Sequence, residues 1–395
     1  MRLAILAACL VALVSFGVRA AFGLFMEPLP AERGFDREVF SLALAIQNLC
    51  WGIGQPFAGA LLTRFGSARV LGTGLLMFGL GTGASAYAAT PLAIYLTTGV
   101  VAGFGMAGAS YVTALAALSR IVPHELQPWA LGLGTAAGSL GQFVLPPMAQ
   151  GFMNVWGWPA TLLALGALLV AVTCLLPALG RREASAAEGT RDLPAIQVVR
   201  LALSHRSYVL LVLGFFTCGF QLAFIQFHLP AYLSGAGYSA TFGAWAIGVI
   251  GLFNIVGSYI AGPVGSRVGY KYFLAFTYTG RAFLLVALML FHHSPLVVML
   301  VAATLGVLWL SAAPTTSGLV ITMFGVRYFP VLFGVTFFSH QVGSFLGVWA
   351  GGRVFAATGS YDLLWWACAA LGLAASALHL PIRERQAPLP ALRPA

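Results

Sequence analysis

Twelve apolar segments of about twenty residues follow one another along this chain of 395 residues. A segment of that length crosses a bilayer as one α-helix, in which every backbone hydrogen bond is made internally. Only 8% of the residues are charged, against about 25% in soluble domains. The sequence therefore predicts an all-α membrane protein with twelve transmembrane helices. The segments are 4–26, 40–62, 70–89, 92–118, 129–153, 159–179, 208–233, 242–264, 271–291, 295–324, 331–357 and 362–381.

The first segment continues to Met26, which is too long for the apolar core of a signal peptide, so we expect it to stay as the first span. Basic residues set the orientation of such a chain, because short cytoplasmic loops carry an excess of Lys and Arg. Fifteen of the 20 basic residues fall at one side of the membrane, and three, Arg33, Arg37 and Arg353, fall at the other. Both termini and the central linker are therefore predicted to be cytoplasmic. The two remaining arginines, Arg19 and Arg281, lie inside helices.

The two halves of the chain repeat each other at an offset of 203 residues, as in Gly66 and Gly269 or Arg64 and Arg267. A fixed offset with the same orientation indicates parallel repeats about an axis along the membrane normal. We predict a six-helix bundle over 1–179, a cytoplasmic linker over 180–207, a second six-helix bundle over 208–381 and a cytoplasmic tail over 382–395.

The turn after the second helix of each half is the best-matching copy. The segments 59–69 and 262–271 resemble G-x-L-x-D-R-x-G-x-[RK], the loop signature of the major facilitator superfamily. The resemblance implies a fold of two pseudo-symmetric bundles and a cytoplasmic gate at these loops. The gate residues would be Gly59, Arg64, Gly66, Gly262, Arg267 and Gly269. Thr63 and Ser266 stand where the family usually has Asp, which would weaken a charged latch at that gate.

A narrower resemblance is to the bacterial monocarboxylate-porter branch of that superfamily. It is carried by Arg19 with the following 22–25, by 37–41, by small residues on helix 5 and by Gly157-Trp158. Helix 8 departs from the branch, because Asn254 and Ser258 stand where an acid or Asn and an Arg are frequent. The resemblance implies a location in the inner (plasma) membrane of a bacterium.

Arg19 is the residue that most needs a physical explanation. It lies about 25 Å along the first helix, inside the hydrocarbon, where a charge costs at least about 2.5–3.5 kcal/mol. A negatively charged substrate would offset that cost through a bidentate contact. The alternative is that Arg19 reaches the outer headgroups or pairs with Glu27.

Other polar side chains within helices are candidates for the lining of a cavity. Thr217, Gln221 and His228 share one face of helix 7, and helix–helix hydrogen bonding is the alternative role for that face. Arg281 on helix 9 is interpreted as structural. The predicted substrate-binding residues are Arg19, Gln47, Tyr111, Gln221, His228, Asn254, Trp309 and His340.

Missing motifs narrow the class of protein. All ten acids fall in loops or at helix ends, the five cysteines are scattered, and no metal, P-loop or nucleophile motif is present. We therefore expect no enzyme, no cofactor and no nucleic-acid partner. The lipid bilayer surrounds the chain, and His228 or His340 could carry protons.

These observations predict a transporter that moves a small organic anion, resembling a monocarboxylate, by alternating access of two bundles. It would be secondary active or facilitative. An exporter of amphipathic or aromatic compounds with the same fold is the first alternative, and a membrane receptor that transports nothing is a remote one.

Overall fold

The computed structural model describes residues 2–123, 126–179 and 194–386. These residues form helices and no strand. Twelve long helices are numbered here in chain order. They are α1 Arg2–Ala21, α2 Arg37–Phe65, α3 Ser67–Ala84, α4 91–121, α5 127–156, α6 158–172, α7 Arg206–Gly235, α8 Ala240–Val268, α9 Tyr270–Phe291, α10 295–324, α11 326–358 and α12 Asp362–His379.

Nine continuous helical stretches in the described part of the chain are long and apolar enough to cross a membrane. Two of them each contain two spans, because Gly157 and Gly325 adopt left-handed φ angles of 76° and 78° and kink the chain. The helix α2 has 29 residues but is less apolar, since it carries Gln47, Asn48 and Gln55. The twelve-helix prediction is confirmed.

The internal repeat is visible in the backbone. Gly34 and Gly237 both have positive φ, 69° and 93°, and so do Gly66 and Gly269, 83° and 93°. Each pair keeps the offset of 203 residues. Glycine adopts this conformation without the clash that a Cβ would cause, so the same turns precede the equivalent helices of the two halves, α2 and α8, then α3 and α9.

Glycines let helices cross at backbone distance inside each half. A Cβ at Gly141 of α5 would lie 1.9 Å from the carbonyl oxygen of Leu13 on α1. In the second half, a Cβ at Gly219 of α7 would lie 1.8 Å from the carbonyl oxygen of His340 on α11. Small residues allow such crossings in a bilayer, where packing drives association. The helices α1 and α7 are thereby fixed in equivalent positions.

The two halves meet along α2 with α11 and along α5 with α8. Gly352 of α11 packs against Ser41, and Gly52 of α2 packs against the side chain of Gln341. Gly251 of α8 packs against the backbone of Phe143 on α5. This interface positions the candidate site, because α1 and α7 lie beside it.

The predicted linker and tail are partly described. Residues 180–193 and 387–395 lie outside the described residues, and the domain boundaries at 179 and 208 stay predictions. A short helix, Ala195–Leu203, follows within the linker, with Val198 and Ala202 buried. The start of the tail is packed: Ile382 is buried and the Oε1 of Glu384 accepts a hydrogen bond from the backbone N–H of Lys271 at 2.7 Å.

Candidate substrate site

Arg19 lies where α1, α2 and α7 meet. Its Nη1 donates to the Oε1 of Gln226 at 3.2 Å, and its Nη2 donates to the Oδ1 of Asn48 at 3.0 Å. The guanidinium carbon is 5.2 Å from the ring centre of Trp51 and 5.4 Å from that of Phe227. The residue is only 8% exposed. The charge is thus held inside the protein by neutral amides and aromatic faces from both halves.

The alternative placements of Arg19 are wrong. Its side chain is buried rather than extended to the headgroups. Glu27, six residues beyond the end of α1, accepts a hydrogen bond from Arg37 at 2.7 Å instead. Among the residues that the structure describes, no carboxylate forms an ion pair with Arg19, so its charge has no counter-charge there.

Several hydrogen-bonding atoms beside Arg19 have no partner. The Nε of Arg19, the Nε2 of Gln226 and the Oγ of Ser15 are buried without one. A cavity with a free volume of about 10 Å³, room for about one water molecule, adjoins Arg19. Buried polar groups are normally paired, so these atoms are available for a polar ligand. The cavity is lined by Ser15, Phe16, Arg19, Trp51, Phe78, Met106, Ser110 and Tyr111.

Tyr111 separates this small cavity from a larger one. The larger cavity has a free volume of about 260 Å³ and lies towards the arginine-rich ends of the helices. Both halves contribute to its wall, through α4 and α5 on one side and α8, α10 and α11 on the other. Arg64 and Arg267, two of the predicted gate residues, are exposed at that end. The space next to Arg19 thus continues past Tyr111 towards the arginine-rich side.

The opposite end is closed by contacts of charged side chains between the two halves. The residues that make these contacts are called here the outer latch, and they are Arg37, Glu38, Arg353, Phe355 and Tyr361. Arg353 pairs with Glu38 at 3.0 Å. Arg37 lies 4.1 Å from the ring centre of Phe355 and donates to the Oη of Tyr361 at 3.5 Å. Burial raises the pKa of Tyr361 above its ordinary value, although Arg37 acts in the other direction. Tyr361 is therefore a neutral hydrogen-bonding group at neutral pH.

Three predicted site residues make their hydrogen bonds to neighbouring helices rather than to Arg19. Gln47 donates to the carbonyl of Thr98 at 2.9 Å, and Gln221 donates to the carbonyl of Cys368 at 2.8 Å. The ring of His228 bridges the carbonyl of Val348 at 2.9 Å and the hydroxyl of Tyr361 at 3.2 Å. The packing role that the sequence left open describes their geometry better than a cavity lining.

The remaining predicted residues are near the interface of the halves. Tyr111 lines both cavities. His340 stacks on Phe337, and the Nδ1 of His340 has no hydrogen-bond partner. The ring of Phe337 packs in turn against Trp51, which lies beside Arg19. Asn254 bonds to the Oγ of Ser139 in the other half at 3.0 Å. Trp309 is buried beside a break in α10.

Two residues that hold Arg19 were absent from the predicted site, Asn48 and Gln226. Gln226 lies on a face of α7 different from that of Gln221, because five residues correspond to about 140° of helical rotation. Both faces of α7 are buried. The available signal was the presence of an uncharged amide inside an apolar segment, which needs a partner as much as Arg19 does.

Comparison with known proteins agrees with this architecture. The family model of the Major Facilitator Superfamily matches residues 8–348. The uncharacterized MFS-type transporter YcxA of Bacillus subtilis (strain 168) is 26% identical over 93% of this chain and 92% of its own length. Monocarboxylate transporter 13 of Rattus norvegicus is 28% identical over 64% of this chain, and the match spans 58% of that protein.

Solved structures show the same fold at lower identity. The crystal structure of a D-xylose–proton symporter has a TM-score of 0.74 at 14% identity, over 96% of this chain and 97% of that one. The nucleoside transporter NupG has a TM-score of 0.79 at 12% identity, over 96% and 99% of the two chains. The shared arrangement of helices extends over almost the whole chain.

Proposed function

This chain belongs to the major facilitator superfamily, and from that premise we propose that it carries a small organic anion with one carboxylate across a bacterial plasma membrane by alternating access. The observation that supports the proposal is the unneutralised guanidinium of Arg19 at the interface of the halves. Amide oxygens satisfy two of its N–H groups but supply no negative charge. A carboxylate would supply both the charge and further acceptors.

The surroundings of Arg19 favour a substrate with an apolar body. Phe16, Phe78 and Met106 line the cavity beside the polar atoms of Ser15 and Tyr111. All described acids lie outside the helix cores, so a substrate ammonium group would meet positive charge. A monocarboxylate with an apolar body fits better than an amino acid. The names of the monocarboxylate transporters among the relatives agree with this substrate class.

The conformation suggests the route of the substrate. The cavity beside Arg19 has room for about one water molecule, so a carboxylate enters only when α1 and α7 separate. The larger cavity beyond Tyr111 would be its entrance from the arginine-rich side, which we propose to be cytoplasmic from the asymmetry of basic residues. Opening of the outer latch would then release the substrate at the other side. Transport of this kind requires no catalytic group, and we propose none.

A second candidate function is export of aromatic or amphipathic compounds. The aromatic lining around Phe16, Trp51 and Phe78 favours it. Uncharged compounds would gain little from Arg19, however, and would leave its charge unpaired. The two candidates therefore differ in their dependence on the substrate's charge.

The experiment that tests the proposal compares acids with their own amides. Purified protein is heated with a series of monocarboxylates of increasing apolar length and with the matching uncharged carboxamides. A ligand that binds the folded state raises the melting temperature, by an amount that follows its affinity. We expect the acids to raise it and the amides to have little effect. Equal effects of acid and amide would contradict the proposal and favour the exporter.

Transport is then measured by counterflow in proteoliposomes with the acid of highest affinity. Exchange of labelled substrate against unlabelled substrate requires carrier movement, which a receptor does not perform. Binding without counterflow would therefore identify a receptor.

A further inference from the structure

Helix α10 is broken near its middle. Its first part ends at Trp309, and helical hydrogen bonding resumes at Ala312, shortly before Pro314, which has no N–H. The N–H of Ala313 bonds to the carbonyl of Leu310 rather than to that of Trp309. The carbonyl of Trp309 therefore lacks its usual helical donor. Inside a bilayer such a group requires another donor, because no lipid tail supplies one.

Arg281 supplies those donors from α9. Its Nε donates to the carbonyl of Leu308 at 3.1 Å, and its Nη2 donates to the carbonyls of Leu308 and Trp309. Its Nη1 donates to the Sγ of Cys218 at 3.3 Å. The side chain is fully buried. The planar fork of an arginine is suited to hold two neighbouring carbonyls at once, which a lysine is not.

The same break is bound from the other side by Asn254 of α8. Its Oδ1 accepts a hydrogen bond from the N–H of Leu310 at 3.1 Å. Its Nδ2 donates to the Oγ of Ser139, on α5 of the other half, at 3.0 Å. One side chain thus joins the break to the interface between the halves. The residues after the break, including Ser317, line the larger cavity.

We infer that Arg281 is a positioning residue, which sets the bend of α10 and, through Asn254, links that bend to the contact between the halves. The inference rests on the proposed function, since a bend coupled to the interface matters only if the halves move. Arg281 donates to backbone carbonyls and to the thiol of Cys218. Arg19 differs, because its Nε has no hydrogen-bond partner. It acts on the substrate pathway through the cavity wall.

The test measures the cavity wall without any substrate. Ser317→Cys is introduced into the full chain after replacing Cys9 and Cys174, which are not buried, and keeping the three buried cysteines. The rate of alkylation by a water-soluble maleimide is compared between Arg281, Arg281→Lys and Arg281→Met. The matched control is Arg33→Met, since Arg33 also donates to a backbone carbonyl, that of Ala86, but far from the break.

Relative to the protein that keeps Arg281, we expect Arg281→Met to change the alkylation rate by about fivefold or more. The rate in Arg281→Lys should lie between the rates with Arg281 and with Arg281→Met. Arg33→Met should leave the rate unchanged. An unchanged rate in folded Arg281→Met would overturn the inference. If that variant does not fold, Arg281→Lys decides in the same way, because it keeps the charge and loses only the fork.

A double-mutant cycle tests the link to the other half. Ser139→Ala removes only the acceptor of Asn254 and leaves Arg281 untouched. The effects of Ser139→Ala and Arg281→Lys on the alkylation rate are expected to be non-additive, and strict additivity would overturn the link. Because no substrate is present, these outcomes are independent of whether acids bind at Arg19.

Discussion

Replacing Arg19 by Gln removes the buried charge and keeps a polar side chain. Wild-type Arg19 uses two N–H groups for Gln226 and Asn48, which leaves its Nε and two further N–H groups for a carboxylate. Hydrogen bonds to charged groups contribute about 1.5–3 kcal/mol each. Since about 1.4 kcal/mol is a tenfold change in affinity, loss of one such bond corresponds to roughly 10- to 150-fold weaker binding.

The folded protein should survive this change. The amide of the introduced glutamine can donate to one of the two amide oxygens that Arg19 now holds, and removal of the charge also removes its desolvation cost. Arg19→Lys keeps the charge but loses the fork, so we expect an affinity between those of wild type and Arg19→Gln. Arg33→Gln is the matched control, because Arg33 lies away from the site and bonds to Ala86.

The assay is equilibrium binding of the best monocarboxylate to the four purified proteins, with melting temperature in the absence of ligand as the measure of folding. Equal affinity of wild type and Arg19→Gln would refute the reasoning, because the buried charge would then play no part in recognition. Equal losses in Arg19→Gln and Arg33→Gln would also refute it, since a general loss of fold would explain both.

Three further predictions concern packing, the outer latch and orientation. Gly219→Ala should destabilise the protein by about 1–3 kcal/mol through overpacking, because a Cβ would lie 1.8 Å from a carbonyl oxygen of α11. Gly59→Ala is the control and should not destabilise the protein, because nothing lies within 4 Å of a Cβ at that position. A lower melting temperature for Gly59→Ala than for Gly219→Ala would contradict this prediction. Glu38→Gln should shift the equilibrium between the closed and open outer latch by less than about 1 kcal/mol, since the side chain of Arg353 is 65% exposed. A larger rise in the labelling of cysteines introduced at that end would mean that the pair of Arg353 and Glu38 is what keeps the latch closed. A cysteine at Ala187 should resist an impermeant reagent outside intact cells, and strong labelling would reverse the orientation.

The predicted site shows how far a helical face can be read from sequence. The spacing of Thr217, Gln221 and His228 predicts one polar face of α7, and in the structure Gln221 and His228 bond to carbonyls of α12 and α11. Gln226, on another face, meets Arg19 from 207 residues away in the chain. Periodicity says which residues share a face; it does not say which neighbour that face meets.

The gate loops show a similar limit. The glycines Gly66 and Gly269 could be predicted from sequence, because a left-handed turn favours glycine whatever surrounds it. Whether the neighbouring arginines engage the other half depends on the conformation, and in this structure Arg64 and Arg267 are exposed. The contacts that close the structure lie at the other end, where Arg353 pairs with Glu38, although the two residues are 315 positions apart in the sequence.

The sequence by itself determined the twelve spans, the two repeated halves and the presence of a charge, Arg19, inside the first span. Each of these depends on local free energies: the transfer of an apolar segment into a bilayer and the cost of a charge within it. The tertiary structure alone decided that Asn48 and Gln226 hold Arg19, that Arg281 caps the break in α10, and which end of the molecule is closed. These choices depend on contacts between distant helices, whose geometry arises only when the whole bundle packs.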